Sequence, residues 1–316
     1  MQGTVYKSTG SWYSVKAENG EFYECRIKGK FRIKGIKSTN PVAVGDVVHF
    51  KVETIGDDTV GIIHEIRPRK NYIIRKSVNL SKQTHIIAAN LDVAFLLVTF
   101  HHPVTHPLFI DRFLATAEAY DIPAVLLFNK WDAYNVDERQ QVGAMMEQYG
   151  DIGYTALGIS ANTGRNIGEV KALMLGKTAM FAGHSGVGKS TLVNALEPGL
   201  DLKTSAISQQ HLQGQHTTTF AEMYDLGFGA RIIDTPGIKG FGVVDMEKGE
   251  IGDYFKEIFL LKGQCKFNDC LHLEEPKCAV KAALETGQMA QSRYRSYVQM
   301  VMGEDENYRV DPYGEL

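Results

Sequence analysis

The sequence predicts an α/β protein in three parts: an N-terminal β-barrel, a central domain built on a parallel sheet, and a C-terminal helical region. Three observations predict it. Residues 3–66 read as short β-rich runs between turn signals, residues from about 71 alternate apolar strands with helical spacing, and after about residue 245 the pattern becomes helical. At 316 residues the chain has room for two or three domains, and the expected boundaries are 1–70, 71–245 and 246–316.

In the first part, Gly3–Ala17, Phe22–Ile27, Val47–Thr54 and Val60–Glu65 are rich in Val, Ile, Tyr and Phe. Asn19-Gly20, Val44-Gly45-Asp46 and Gly56-Asp57-Asp58 punctuate them. About 65 residues of this kind fit a five-stranded barrel such as an OB-fold, and another small barrel fits nearly as well. Arg67-Pro68-Arg69-Lys70 reads as a linker. In the second part, Leu91–Phe100 is a continuous apolar run, as in a strand covered on both faces. Strands are also expected at Ala124–Phe128, Tyr154–Ile159, Thr178–Ala182, Ala221–Asp225 and Ala230–Ile233. Helices are expected at Pro107–Tyr120, Val136–Tyr149 and Lys189–Leu196, and the alternation implies a parallel sheet. In the third part Tyr294, Tyr297, Val298 and Val301 fall on one helix face, a stripe expected to pack on the core.

The bulk composition, 44% hydrophobic and 22% charged, is that of an ordinary globular chain. No run of about 18 apolar residues reads as a membrane span, and Met1–Gly10 lacks the apolar core of a secretory signal, so a cytoplasmic location is expected. The net charge of -3 conceals an asymmetry. Residues 1–76 carry 14 Lys and Arg against 8 Asp and Glu, whereas the remainder carries 20 against 29. A basic module on an acidic chain points to a polyanionic partner or to a solvated basic face.

Gly183-His184-Ser185-Gly186-Val187-Gly188-Lys189-Ser190 matches G-x-x-x-x-G-K-[ST] between an expected strand and an expected helix, the context that motif needs. Glycines let backbone N–H groups turn inward around phosphate oxygens, and the helix N-terminus adds partial positive charge. Lys189 is expected to reach the β- and γ-phosphates and Ser190 to bind Mg²⁺, with Thr191 beside it in the first turn. The loop alone leaves ATP and GTP both open. Asn129-Lys130-Trp131-Asp132, directly after a buried strand, decides between them. A carboxylate at Asp132 can accept from guanine N1–H and the 2-amino group, whereas adenine would leave it unpaired. Asn129 is expected to tie loops together and Lys130 to lay its stem over the ring. Ser160-Ala161 follows the next strand, and the Ala161 N–H is expected to face guanine O6.

Asp234-Thr235-Pro236-Gly237 matches D-x-x-G: Asp234 is expected to hold Mg²⁺ through water, and the Gly237 N–H to meet the γ-phosphate. One of Thr217, Thr218 and Thr219 is expected to complete the Mg²⁺ shell. The order, base-reading motif before phosphate loop, is circularly permuted relative to ordinary GTPases. A sheet that keeps its motifs at strand ends survives such rewiring. The rewiring leads Asp234–Gly237 directly into the C-terminal region, so nucleotide state is expected to reposition that region. Ile238 stands where many GTPases orient the attacking water, which it cannot do; His216 is the candidate in its place. Cys265, Cys270, His272 and Cys278 offer three sulfurs and an imidazole within fourteen residues, suited to one closed, structural, tetrahedral Zn²⁺.

Taken together these motifs resemble the RsgA (YjeQ/YloQ) family of circularly permuted GTPases over essentially the whole chain, including Gly214–Thr219 and the Cys-Cys-His-Cys knot at 265–278. The resemblance implies an OB-fold that contacts ribosomal RNA, GTPase activity stimulated by the 30S subunit during late-stage assembly, a monomer, and zinc in the C-terminal domain. It also implies a catalytic histidine in the Thr loop, which His216 matches. Lys28, Lys30, Arg32 and Lys34, with Phe31 for stacking, are the candidate RNA contacts, and Phe31 fits the core equally well. Other readings are a GTP-gated binding module that hydrolyses only for release, a permuted GTPase of another particle, and a P-loop ATPase, which Asp132 disfavours.

Overall fold

A computed structural model describes residues 1–27, 41–55, 58–76, 84–200, 221–234 and 246–303. The first five strands are β1 (Gln2–Ser8), β2 (Tyr13–Ala17), β3 (Phe22–Ile27), β4 (Val47–Ile55) and β5 (Asp58–Ile66). They pair in the order β1-β2-β3-β5-β4, and β4 returns to β1, which closes the barrel. Val5, Val15, Phe50 and Ile63 fill it. The single run expected from Gly3 to Ala17 is two strands. Thr9 breaks it by donating its N–H (3.0 Å) and hydroxyl (3.2 Å) to the Trp12 carbonyl, which turns the chain back on itself. At the barrel's exit the Arg69 guanidinium is bidentate to the buried Asp46, both bonds 2.6 Å, and also donates to the Pro41 carbonyl.

A hairpin of β6 (Tyr72–Lys76) and β7 (Thr84–Ala89) follows, where the sequence assigned no strand. Its cue is weak because only one short stretch of each strand is apolar; Ile73 and Ala88 are fully buried against the central core. The central sheet contains β8 (Val93–Val98), β9 (Ala124–Phe128), β10 (Thr155–Gly158), β11 (Thr178–Ala182), β12 (Glu222–Asp225) and β13 (Arg231–Asp234). Its order is β10-β9-β8-β11-β13, all parallel, with β12 antiparallel on β13. All six residues of β8 are buried, as the apolar run predicts. The strand is shorter than that run because side chains take the flanking amides: Leu91 N–H donates to Asn71 Oδ1 and Thr99 N–H to Thr105 Oγ1.

Helices α1 (Pro107–Ala119), α2 (Val136–Asp151), α3 (Ile167–Met174) and α4 (Lys189–Leu196) cover the sheet. Two apolar clusters pack on it, one including Phe113 and Val142 and the other Val170 and Leu192. Asn135 opens α2 with a capping box: its side chain accepts from the Glu138 N–H while Glu138 accepts from the Asn135 N–H. The sequence assigned no helix to α3. It spans eight residues and starts from a left-handed Asn166 without a side-chain cap, so the usual start signal is missing.

The barrel and sheet are continuous. β1 pairs antiparallel with β12 at Lys7 and Glu222, which makes eleven strands in all. Asp225 on β12 accepts from Tyr6 Oη (2.7 Å) and Lys16 Nζ (2.6 Å) of the barrel.

The third part holds α5 (Lys256–Leu261), α6 (Ala279–Glu285) and α7 (Gln291–Met302). As expected, Tyr297 and Val301 of the apolar stripe are buried, with Tyr294 and Val298 against the same cluster. That cluster also contains Leu108 and Ala115 of α1. Arg293 on α7, 1% exposed, joins the two parts. It is bidentate to Glu257 (2.7 and 2.9 Å) and donates to Asp111 Oδ1 of α1 at 2.8 Å. Tyr149 of α2 donates to the same Asp111 oxygen at 2.8 Å. No helix among the described residues is long and apolar enough to cross a membrane.

Removing one partner of a buried ion pair leaves the other charged and desolvated. Arg293→Ala is therefore expected to lower unfolding free energy by about 3–5 kcal/mol in chemical denaturation. A loss near that of an exposed pair, about 1 kcal/mol or less, would mean the network is not integral to the fold.

Candidate nucleotide site and metal centre

Parallel strands put their carboxyl ends on one edge, and loops there converge. Gly183–Ser190 follows β11, Asn129–Asp132 follows β9, Ser160 and Ala161 follow β10, and Asp234 ends β13. Motifs distant in the chain therefore meet along one sheet edge, whatever their order in sequence.

Their meeting point is Asn129, 2% exposed. Its Nδ2 donates to the Val187 carbonyl of the glycine-rich loop at 2.8 Å, and its Oδ1 accepts from the Ala161 N–H at 3.0 Å. The expectation that Asn129 ties loops together thus has a specific form. It also alters one detail: the Ala161 N–H, expected to face guanine O6, is engaged by Asn129. The approach is close enough to dictate a glycine opposite. A Cβ on Gly188, at φ +99°, would lie 2.5 Å from Asn129 Nδ2. From the other side, Tyr134 donates its hydroxyl to the Asn129 carbonyl at 2.6 Å and accepts from the Phe100 N–H at 2.9 Å. No motif pointed to Tyr134.

In the glycine-rich loop, Val187 is buried in the core while Ser185 and Gly186 stand exposed at the rim. Lys189 opens α4, and its ammonium donates back to the Gly183 (2.6 Å) and His184 (2.8 Å) carbonyls. Burial pushes its pKa down to about 8, against the attraction of Asp234. Ser190 is half-buried behind it and Thr191 is exposed.

In the Asn129–Asp132 loop, Asp132 Oδ1 accepts from the Ser160 hydroxyl, which holds the carboxyl below the usual carboxylate range. Ser160 Oγ in turn accepts from the Thr163 N–H at 3.1 Å. Lys130 sits in the left-handed region at φ +65°, and its ammonium donates to the His102 carbonyl. Burial lowers its pKa against the pull of Asp132. The His102 contact comes from the loop after β8, which no motif marked. Trp131, the variable position of the motif, lies against β10, where a Cβ on Gly158 would come within 2.7 Å of the indole.

His216, Thr217, Thr218, Thr219, Gly237 and Ile238 lie outside the described residues, as do Lys28, Lys30, Phe31, Arg32 and Lys34. Asp234 is described and half-buried.

The second cluster is Cys265, Cys270, His272 and Cys278, whose ligand atoms all lie within 4.8 Å of one another. His272 Nδ1 is 3.5 Å from Cys265 Sγ and 3.4 Å from Cys278 Sγ, and those sulfurs are 4.0 Å apart. A tetrahedron with zinc bonds of about 2.3 Å to sulfur and 2.0–2.1 Å to nitrogen has edges of about 3.5–3.8 Å, so this donor set fits zinc. The loop is braced from outside. Glu275 accepts from the Leu271 and Leu273 N–H groups, both at 2.8 Å. Tyr297 donates to the Leu271 carbonyl and Tyr294 to the His272 carbonyl, both at 2.7 Å.

A family model described as the RsgA GTPase matches residues 66–244, and one described as the RsgA N-terminal domain matches residues 2–63. A protein of Christiangramia forsetii named small ribosomal subunit biogenesis GTPase RsgA is 67% identical across 99% of each chain. A protein of the same name from Flavobacterium johnsoniae is 63% identical, covering 100% of this chain and 97% of its own. Among solved structures, YjeQ from Thermotoga maritima is similar at 36% identity and TM-score 0.78, covering 96% of this chain and 97% of its own. YloQ, described as a circularly permuted GTPase, is similar at 31% identity and TM-score 0.73, covering 99% and 96%.

Two outcomes are expected. Asp132→Asn removes a charged acceptor, so GDP affinity in a fluorescence titration should fall by about 10- to 100-fold. Xanthosine diphosphate, with a carbonyl at C2, should lose less; an equal loss for both would show that Asp132 does not read the base. Elemental analysis should find one zinc per chain, and Cys278→Ser should both lose it and lower the melting temperature.

Proposed function

The chain belongs to the RsgA family and is a GTP-hydrolysing enzyme, and on that premise we propose that it serves the late-stage maturation of the small ribosomal subunit, which stimulates its turnover and which it leaves after hydrolysis. The observation that carries the site assignment is the Asn129 junction, which brings base-reading and phosphate-binding loops together at one sheet edge. The curated names of its relatives supply the particle.

In this reading, Asp132 accepts from guanine N1–H and the 2-amino group while the Ser160 hydroxyl orients its carboxylate. The Lys130 stem, anchored at the His102 carbonyl, covers the ring. Inward N–H groups of Gly183–Ser190 hold the phosphates, and Lys189 turns from its own loop's carbonyls to the β- and γ-oxygens. The hydroxyl of Ser190 and the carboxylate of Asp234 would hold Mg²⁺, which neutralises charge on those oxygens. One of Thr217, Thr218 and Thr219 would complete the Mg²⁺ shell, the Gly237 N–H meets the γ-phosphate, and His216 positions the attacking water in place of Ile238. The basic barrel contacts ribosomal RNA, and zinc at the Cys-His knot staples the helical region without a part in the chemistry.

The test is GTP turnover measured alone and with purified 30S subunits. Slow unaided hydrolysis and strong stimulation are expected; stoichiometric binding with no added turnover would favour a GTP-gated binding module. His216→Ala should lower the stimulated rate by about a hundredfold or more with nucleotide affinity retained. Unchanged stimulation in that variant would remove His216 from the mechanism.

A further inference from the structure

Phe109 lies in the first turn of α1, far along the chain from the glycine-rich loop, and its ring packs tilted against His184 of that loop. The centroids are 3.9 Å apart with planes inclined by 31°. Typical aromatic pairs sit about 4.5–7 Å apart, so the two rings are in close contact. His184 is no neutral bystander, because its carbonyl accepts from the Lys189 ammonium at 2.8 Å. The residue whose ring meets Phe109 is therefore also one that holds the lysine.

The helix that carries Phe109 is itself tied into the fold. Leu108, next to Phe109, and Ala115 are buried in the cluster of the helical region. Asp111, two residues beyond Phe109, is gripped by Arg293 and Tyr149. Phe109 is only partly buried, and the core does not depend on it as it does on Phe113. Resting on the assignment of Gly183–Ser190 as the phosphate loop, we propose that Phe109 is a positioning residue for nucleotide binding: it orders the loop through His184, from a helix that the zinc-bearing region clamps.

Ordering a loop before binding stabilises the ground and transition states alike, so the effect belongs in affinity and KM, with kcat spared. The experiment measures the Kd of a fluorescent GDP analogue and GTP turnover with 30S subunits for four full-length variants. Phe109→Ala should weaken binding by about two- to tenfold, the range of an aromatic pair, and leave kcat within about twofold. Phe109→Tyr, which keeps the ring, should bind as the unsubstituted chain does. Phe109→Leu, which keeps apolar bulk alone, should bind as weakly as Phe109→Ala. An unchanged Kd in Phe109→Ala, or full rescue by Phe109→Leu, would overturn the proposal. Lys189→Ala separates the two assignments: if it also binds normally, the phosphate-loop reading has failed, whereas loss there beside an unaffected Phe109→Ala defeats this inference alone.

Discussion

The Asn129 carboxamide is the point on which the site depends. Its Nδ2 and Oδ1 reach two loops that neither adjoin one another nor adjoin Asn129 in the chain. Few residue types can do this, because the position needs one donor and one acceptor on a short planar group. An aspartate would keep the acceptor for the Ala161 N–H but set a second acceptor against the Val187 carbonyl, leaving those two oxygens buried without a donor. The close approach explains Gly188 in turn, since any Cβ there meets the amide. The last glycine of the Gly183–Ser190 loop is thus dictated by Asn129, a residue of a different loop.

Around that junction the fold is stiffened from two sides. The barrel is an extension of the central sheet through β1 and β12, locked by Tyr6 and Lys16 on Asp225. The helical region is locked onto α1 and α2 by the Arg293 network. This second lock bears on the expectation that nucleotide state repositions the helical region through the Asp234–Gly237 segment. Any such motion must either carry α1 and α2 with it or break the buried Arg293–Asp111 ion pair. Since α1 also touches the glycine-rich loop through Phe109, the helix offers a second route between the same two parts.

The two ion networks differ in kind from the contacts at the site. Arg69 is bidentate to buried Asp46 and Arg293 is bidentate to buried Glu257 with one further bond to Asp111, the fork geometry in which guanidinium outperforms ammonium. Each sits where one part of the chain joins another. The lysines of the site instead donate to backbone carbonyls, Lys130 to His102 and Lys189 to Gly183 and His184. Such bonds can be exchanged for phosphate or water without stranding a buried counter-charge.

Composition and local pattern by themselves determined the class of the fold, the strand-then-motif contexts and the Cys-His knot. Each is written in short range: a glycine spacing, an apolar run such as that of β8, or four soft ligands within fourteen residues. The stripe at Tyr294, Tyr297, Val298 and Val301 was legible for the same reason. Tertiary structure alone decided the rest. The β6–β7 hairpin and α3 lack local start signals and exist because partners cover them. Tyr134, His102 and Phe109 carry no motif, and their roles arise only where loops from different strands come within bonding distance. Arg293 reads in sequence as one more exposed helix cation; burial against two carboxylates 36 and 182 residues away makes it a structural joint. Local chemistry is encoded by spacing, whereas pairing between distant groups is set by how the sheet and helices pack, and a single sequence does not spell that out.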